Sequence, residues 1–194
     1  NLLTAVALIP FAGLLVKLSL AIVKADKVEE EDKVDLVIPD KKLFEVPQVA
    51  LSEAAGAIAH MGEVALRNVK RGYNLINTYD EGRIDVINDN EDNIDMFTDS
   101  MDNYLLELSR FIETDHDNQR INTLMQTSTN FERIGDHATN IMEVAQSINS
   151  GKADFSEMAR AEIELVKNAV FEITEVTIDS FKKMDSELAR TIEP

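Results

Sequence analysis

The sequence predicts an all-α protein, an antiparallel up-down helical bundle preceded by the end of a transmembrane helix, and three observations carry that expectation. Apolar residues recur at three- and four-residue steps through four consecutive segments after Pro47, which is the period of a helix face. Short polar stretches separate the segments, and connections of that length leave only antiparallel neighbours within reach. Alternation of the kind strands need is confined to one short piece at Val34 to Ile38.

Taken in order, Leu2 to Val23 is almost wholly apolar, interrupted by Thr4, Pro10, Gly13, Lys17 and Ser19. About 20 such residues cross a bilayer. No basic stretch precedes the run and no small-x-small site ends it, so it reads as a membrane helix in residues 1–23 rather than a signal peptide. Lys17, Lys24 and Lys27 place the chain after about residue 24 on the cytoplasmic side of the cell membrane. Residues 24–46 turn charged, carry the turn signal Pro39-Asp40 and read as a linker. Residues 47–194 then form the helical domain. Its first helix opens at Pro47, a residue favoured in a first turn, and runs through Val49, Leu51, Ala55, Ile58, Met61, Ala65 and Val69 to Gly72 or just beyond. The second starts near Asp80 as N-cap and keeps Ile87, Ile94, Met101, Leu105, Leu108 and Ile112. The polar stretch Thr114 to Asn118 ends it. A third shows Ile121, Met125, Ser128, Gly135, Met142 and Ala145 before Asn149-Ser150-Gly151. A capping box, Asp154 to Glu157, starts a fourth that carries Ile163, Val166, Val170, Ile173, Val176, Ile178, Phe181 and Leu188.

The chain has 36 acidic against 19 basic side chains, a net charge of −17 and no cysteine. Such a charge repels phosphate backbones and excludes a self-contained nucleic-acid binder. Without thiols there is no disulfide, no Cys-ligated zinc, no iron–sulfur cluster and no cysteine nucleophile. A metal site must be built from carboxylates, amides and three histidines.

Two acids stand where apolar residues should. On the second helix, the position bridging Ile87 and Ile94 is Glu91, and on the third, the stripe from Met125 to Met142 passes through Glu132. Asp95 and Asp136 lie four residues further on, so each shares a face with its Glu. Buried unpaired carboxylates cost several kcal/mol each, on the order of what a cation, a proton or an Arg must offset. Four hard oxygen donors on facing helices suit a di- or trivalent ion: iron, zinc, manganese, magnesium or calcium. The bare spacing is common in so acidic a chain, occurring also at Glu31/Asp35, Glu81/Asp85, Glu113/Asp117 and Glu175/Asp179, where a solvated face is the expected reading. Placement on the seam singles out Glu91, Asp95, Glu132 and Asp136. Gly135 adds to it, because a mid-helix glycine costs about 1 kcal/mol relative to alanine and has a packing or site-related reason.

Phe131-Glu132-Arg133-Ile134-Gly135-Asp136-His137-Ala138-Thr139-Asn140-Ile141 resembles the signature of the PhoU family nearly residue for residue, and Glu91 to Asp95 stands where that family's middle helix carries its acidic motif. The order of helices from Pro47 to Ser150 is similar to one three-helix PhoU repeat, with a further helix after it. A unit of this kind placed after a membrane span and introduced by Leu43 to Leu51 resembles the C-terminal region of bacterial sodium/phosphate cotransporters. The resemblance implies a cytoplasmic, metal-binding regulatory domain of a sodium-dependent phosphate transporter, without catalysis of its own. Glu91, Asp95, Glu132 and Asp136 would be its metal ligands, with Asn140 one turn on. Its partners would be the membrane, the rest of its own transporter chain and the metal ion, and a homo-oligomer is compatible with it. The family's second three-helix repeat is represented only by its first helix.

Two other readings stand beside this one. In a purely structural or signalling bundle, the seam acids pair with Arg133, Arg110 or Arg120 and bind no metal. In a di-iron carboxylate enzyme, Glu113 and His116 would supply the Glu-x-x-His spacing, which such sites use twice. His137 points about 100° away from Asp136 around the helix and stays outside the ligand set, and His60 reads as structural. Asn88 to Asn93 lacks the glycine of a calcium loop, and no Ser-His-Asp order, phosphate-binding glycine loop or H-E-x-x-H motif is present.

Overall fold

The computed structural model describes residues 34–152 and 154–192. The expected transmembrane run 1–23 and the first part of the expected linker lie outside the described residues. Among those described, no helix is long and apolar enough to cross a membrane.

The bundle is all-α, with no strand among the described residues. Four long helices, α1 (Pro47–Asn77), α2 (Gly82–Leu108), α3 (Asp115–Asn149) and α4 (Glu157–Lys183), precede a short α5 (Ser186–Arg190). Paired residues give the directions. Asn68 meets Asn90 and Met61 meets Thr98, so α2 runs antiparallel to α1. Lys70 meets Glu175 and Glu63 meets Lys182, so α4 is antiparallel to α1 as well. Gly62 lies under Phe131 and Gly72 under Ala138, so α1 and α3 run parallel. Helix α1 is therefore the central element, with the other three arranged around it.

Each end has a local cause. Pro47 opens α1 at a position where the absent N–H costs nothing. Gly72 does not stop α1: it is the point of closest approach to α3, where a Cβ would sit 2.9 Å from the Ala138 carbonyl oxygen. Asp80 is not the N-cap of α2, which is Glu81, but its Oδ1 accepts from the Gly82 N–H at 3.1 Å and so serves the same first turn. The polar stretch after α2 begins α3 instead of merely ending α2, since Thr114 caps it by accepting from the Asp117 N–H. Gly151, at φ 70°, takes the left-handed conformation just past α3 that glycine adopts without strain. The cap of α4 is Ser156, accepting from Ala159; Asp154 binds Arg160 instead. Met184, left-handed at φ 53°, terminates α4, which moves Leu188 onto α5.

Residues 34–46, the end of the expected linker, lie on the bundle. Val34, Leu36 and Ile38 alternate with exposed neighbours, but the alternation finds no partner strand and its apolar side packs against the helical core. Lys41–Glu45 forms a 3-10 turn capped by Asp40. Phe44 in this turn is buried, its ring 4.9 Å from that of Tyr104 and 5.3 Å from that of Phe111.

The core occupies the expected faces with local shifts. In α1, Ala50 and Ala54 are buried in place of Val49, which is exposed. In α3, Leu124, Phe131 and Ala138 join the predicted stripe. Helix α4 departs furthest. Only Thr174, Ile178 and Ser180 are buried along it, and Val166, Val170 and Ile173 are exposed.

Candidate metal centre

Helices α2 and α3 approach closely at Gly135. A Cβ there would lie 3.2 Å from Cδ1 of Ile94, which is fully buried. The missing side chain lets the two backbones come together within both acidic pairs, next to Asp95 on α2 and Asp136 on α3. Glu91, Asp95 and Asp136 converge as a result, each offering a carboxylate oxygen within 4.8 Å of the others. Glu132 stands on the same seam and senses Asp136 and Asp95, but it lies outside that group of three. The structure therefore gathers three of the four residues singled out from the sequence, two from α2 and one from α3.

The electrostatics are those of crowded anions. Burial first, then Asp95, Asp92, Asp136 and Glu132, hold the Glu91 carboxyl above the ordinary range. Burial and then Asp136 do the same for Asp95. Glu132 is raised by burial, Asp136 and Asp95, against a smaller opposing pull from Arg133. Among the described residues no ion pair joins any of the four to a basic side chain. Arg120, one of the arginines that could have neutralised them, turns to Gln48 and Asp117. Glu91 and Asp136 are half-buried and Asp95 is exposed, so the repulsion between like charges at this spacing is only partly relieved by water. Three hard oxygen donors from adjacent helices fit a di- or trivalent cation.

The other acidic spacings resolve differently. Glu175 pairs with Lys70 and Asp179 with Lys183, so both are spent on ordinary ion pairs. His60 is exposed and faces Glu63 at 3.4 Å. Asp117, expected on a solvated face, is only 6% exposed. It accepts from the Gln48 amide at 2.6 Å and the Thr114 hydroxyl at 2.7 Å, and these bonds, Thr114 first, lower its pKa. It is the joint that ties the start of α3 to the start of α1. Thr114 three residues ahead of Asp117 is the sequence signal that identifies it. A second polar joint has a fainter signal. Asn68 and Asn90, both buried, bridge α1 to α2, with the Asn68 amide donating to the Ile87 carbonyl at 2.9 Å and the Asn90 amide to the Asn68 side-chain oxygen at 3.3 Å. A polar residue on an apolar face is the only trace it leaves in the sequence.

These features define a class of protein, a helical bundle with mixed helix directions and an acidic seam at a glycine contact. Residues 58–145 match the family profile described as the PhoU domain. That stretch runs from within α1 to within α3, contains both acidic pairs and Gly135, and is similar to a PhoU domain. No curated protein and no solved structure matches the chain.

Proposed function

We propose that the described bundle is a regulatory, metal-binding domain of a sodium-dependent phosphate transporter, held at the cytoplasmic face of the cell membrane by the apolar run in residues 1–23. The PhoU-like domain supports the coarser part of this reading, a role in regulating phosphate transport, since PhoU is a family of regulatory helical domains and not a known enzyme family. The membrane and transporter parts rest on the composition of Leu2 to Val23 and on the resemblance of Leu43 to Leu51 and its setting to sodium/phosphate cotransporters.

The observation that carries the metal is the convergence of Glu91, Asp95 and Asp136, to which no basic side chain is paired among the described residues. Glu91 and Asp95 would hold the ion from α2 and Asp136 from α3, with Glu132 supplying further negative charge from its seam position. What the ion would supply is positive charge between two helices whose facing acids repel. In the regulatory reading, occupancy then sets how tightly α2 and α3 are clamped, and so how rigid the domain is when it meets the transporter.

Elemental analysis of the full chain after incubation with iron, manganese, zinc, magnesium and calcium tests the site. Bound metal is expected in the wild type and is expected to be lost in Glu91→Gln/Asp136→Asn. Chelation should lower the thermal midpoint of the wild type and leave that variant unmoved, because a ligand of the native state stabilises it in proportion to its occupancy. A wild type that stays empty with every ion, or a variant that keeps its metal, refutes the site. The transporter reading is tested separately by phosphate uptake in cells carrying the same substitutions in the chromosomal copy; unchanged uptake and unchanged response to external phosphate would count against regulation.

A further inference from the structure

The metal centre uses only part of the stretch from Phe131 to Ile141. Glu132, Gly135 and Asp136 belong to the α2–α3 seam, which leaves Ile134, His137 and Ile141 without a role there. Those three line a different feature. At this level α1, α3 and α4 leave a cavity of about 390 Å³ between them. Ile134, His137, Asn140 and Ile141 contribute its α3 wall, Val69 and Tyr73 line it from α1, and Val170 and Thr174 from α4.

The interior of the cavity is aliphatic. Thr174 is the exception, and its hydroxyl is spent on the Val170 carbonyl at 2.7 Å. Polar groups gather at the mouth instead. Tyr73 is half-buried, its ring edge-on to Phe171 at 5.5 Å, and His137 and Asn140 are exposed. Among the described residues, the Tyr73 hydroxyl and the His137 ring make no hydrogen bond. Asn140 donates its amide to the Asp136 carbonyl and keeps its side-chain oxygen as an acceptor. An apolar interior with a few polar groups converging at one end is the ordinary form of a small-molecule site, and such sites enclose about 300–1,000 Å³.

We propose that this cavity binds an uncharged single-chain amphiphile, with its alkyl chain among Val69, Ile134, Ile141 and Val170 and a hydroxyl head at Tyr73, His137 and Asn140. Size selects a small molecule. A helix is about 10–12 Å across, so a single turn would overfill the space. A cavity of about 150 Å³ holds a six-carbon ring, so this one has room for a chain of roughly ten carbons. Charge selects the head. Among the described residues that line the cavity there is no carboxylate, lysine or arginine, so an ionised head would find no counter-charge. The net charge of −17 further disfavours an anion. A hydroxyl both donates and accepts, which suits a phenol, an imidazole and an amide oxygen together. The inference does not rest on the metal reading, because the seam acids occupy another face of α3.

Photolabelling of the full chain in isolated membranes with a diazirine-bearing decanol, read by peptide mass spectrometry, tests the site. Saturable label is expected on peptides containing Val69, Ile141 or Val170, competed by decanol roughly tenfold better than by decanoate or decylammonium. Val144 and Val170 are 41% and 39% exposed at the edge of the cavity, so Val144→Phe/Val170→Phe should narrow it and remove most of the label with unchanged helical circular dichroism. Ala189→Phe, at a separate hollow beside Phe131 and Phe181, should label as the wild type does. His137→Ala keeps the cavity but removes one partner of the head, and should raise the decanol concentration for half-competition several-fold. Label that never saturates overturns the inference, as does label that persists in the narrowed variant or competition by decanoate equal to that by decanol. If the narrowed variant does not fold, His137→Ala decides, and an unchanged decanol titration there overturns the site.

Discussion

Alanine placed at Gly72 and at Gly56 should move stability in opposite directions, although both are interior positions of α1. In a helix interior the change from glycine to alanine gains about 1 kcal/mol from backbone entropy alone. At Gly56 nothing lies within 4 Å of the new Cβ, so that gain stands. At Gly72 the Cβ arrives 2.9 Å from the Ala138 carbonyl oxygen and 3.3 Å from Cγ2 of Ile141. The first of these is a backbone atom of α3, which cannot turn aside as a side chain can. Relief requires α1 and α3 to separate by some tenths of an ångström along a packed interface, and overpacking of this kind costs about 1–3 kcal/mol. Subtracting the propensity gain leaves Gly72→Ala less stable than wild type by up to about 2 kcal/mol. At roughly 2–4 °C per kcal/mol for a chain of this length, Gly56→Ala should melt a few degrees higher and Gly72→Ala a few degrees lower. Thermal unfolding monitored by circular dichroism in the far ultraviolet reads both. If the two variants rise together, the parallel α1–α3 contact does not exist as described and the height of α3 relative to its neighbours is wrong.

Individual contacts give three further expected outcomes. Asn68→Ala should cost about 1–3 kcal/mol in urea unfolding, because it leaves the Asn90 amide buried without its acceptor. Phe44→Ala should cost about 3–5 kcal/mol, the range for emptying a core aromatic site; an effect near zero would mean that residues 34–46 are a free linker after all. Neutralising the seam as Glu91→Gln/Asp95→Asn/Glu132→Gln should stabilise the metal-free chain most at neutral pH. All three native carboxyls are held above their ordinary values of 4.5 and 3.8, so the folded state retains protons longer than the unfolded one as pH rises. Their stabilising contribution is complete below the unfolded values and lost as pH rises through the raised ones. The gap between variant and wild type should therefore close on acidification through the carboxylate range, and a gap that widens there would refute the crowding.

What the sequence made legible was whatever repeats. Helix period marks the four long elements, and the acids at Glu91 and Glu132 stand out because they interrupt a repeat. The readings that shift are those that depend on a partner. Gly72 resembles a helix stop until Ala138 is known to lie against it. Val34 to Ile38 alternates as a strand would, yet no strand among the described residues pairs with it, and helices take its apolar side. The stripe on α4 promises a buried seam, and its period is right, but period states only that a face is apolar and not that anything covers it. Likewise Asp117 shows the same Glu-x-x-x-Asp spacing as the seam pairs, and only its bonds to Gln48 and Thr114 separate a structural joint from a ligand.

The same distinction explains why the seam acids and the α4 face are the two places to look for function. Many contacts elsewhere in the bundle match local chemistry to packing: Glu175 has Lys70, Asp154 has Arg160, Phe44 has Tyr104 and Phe111. At the seam, three carboxylates lie together without a basic partner among the described residues, and Gly135 gives up helix propensity to let their helices approach. On α4, apolar side chains meet water beside the cavity between α3 and α4. A folded chain retains such inconsistencies where something outside the chain resolves them. For the seam, the chemistry states what that something must be: positive charge of high density.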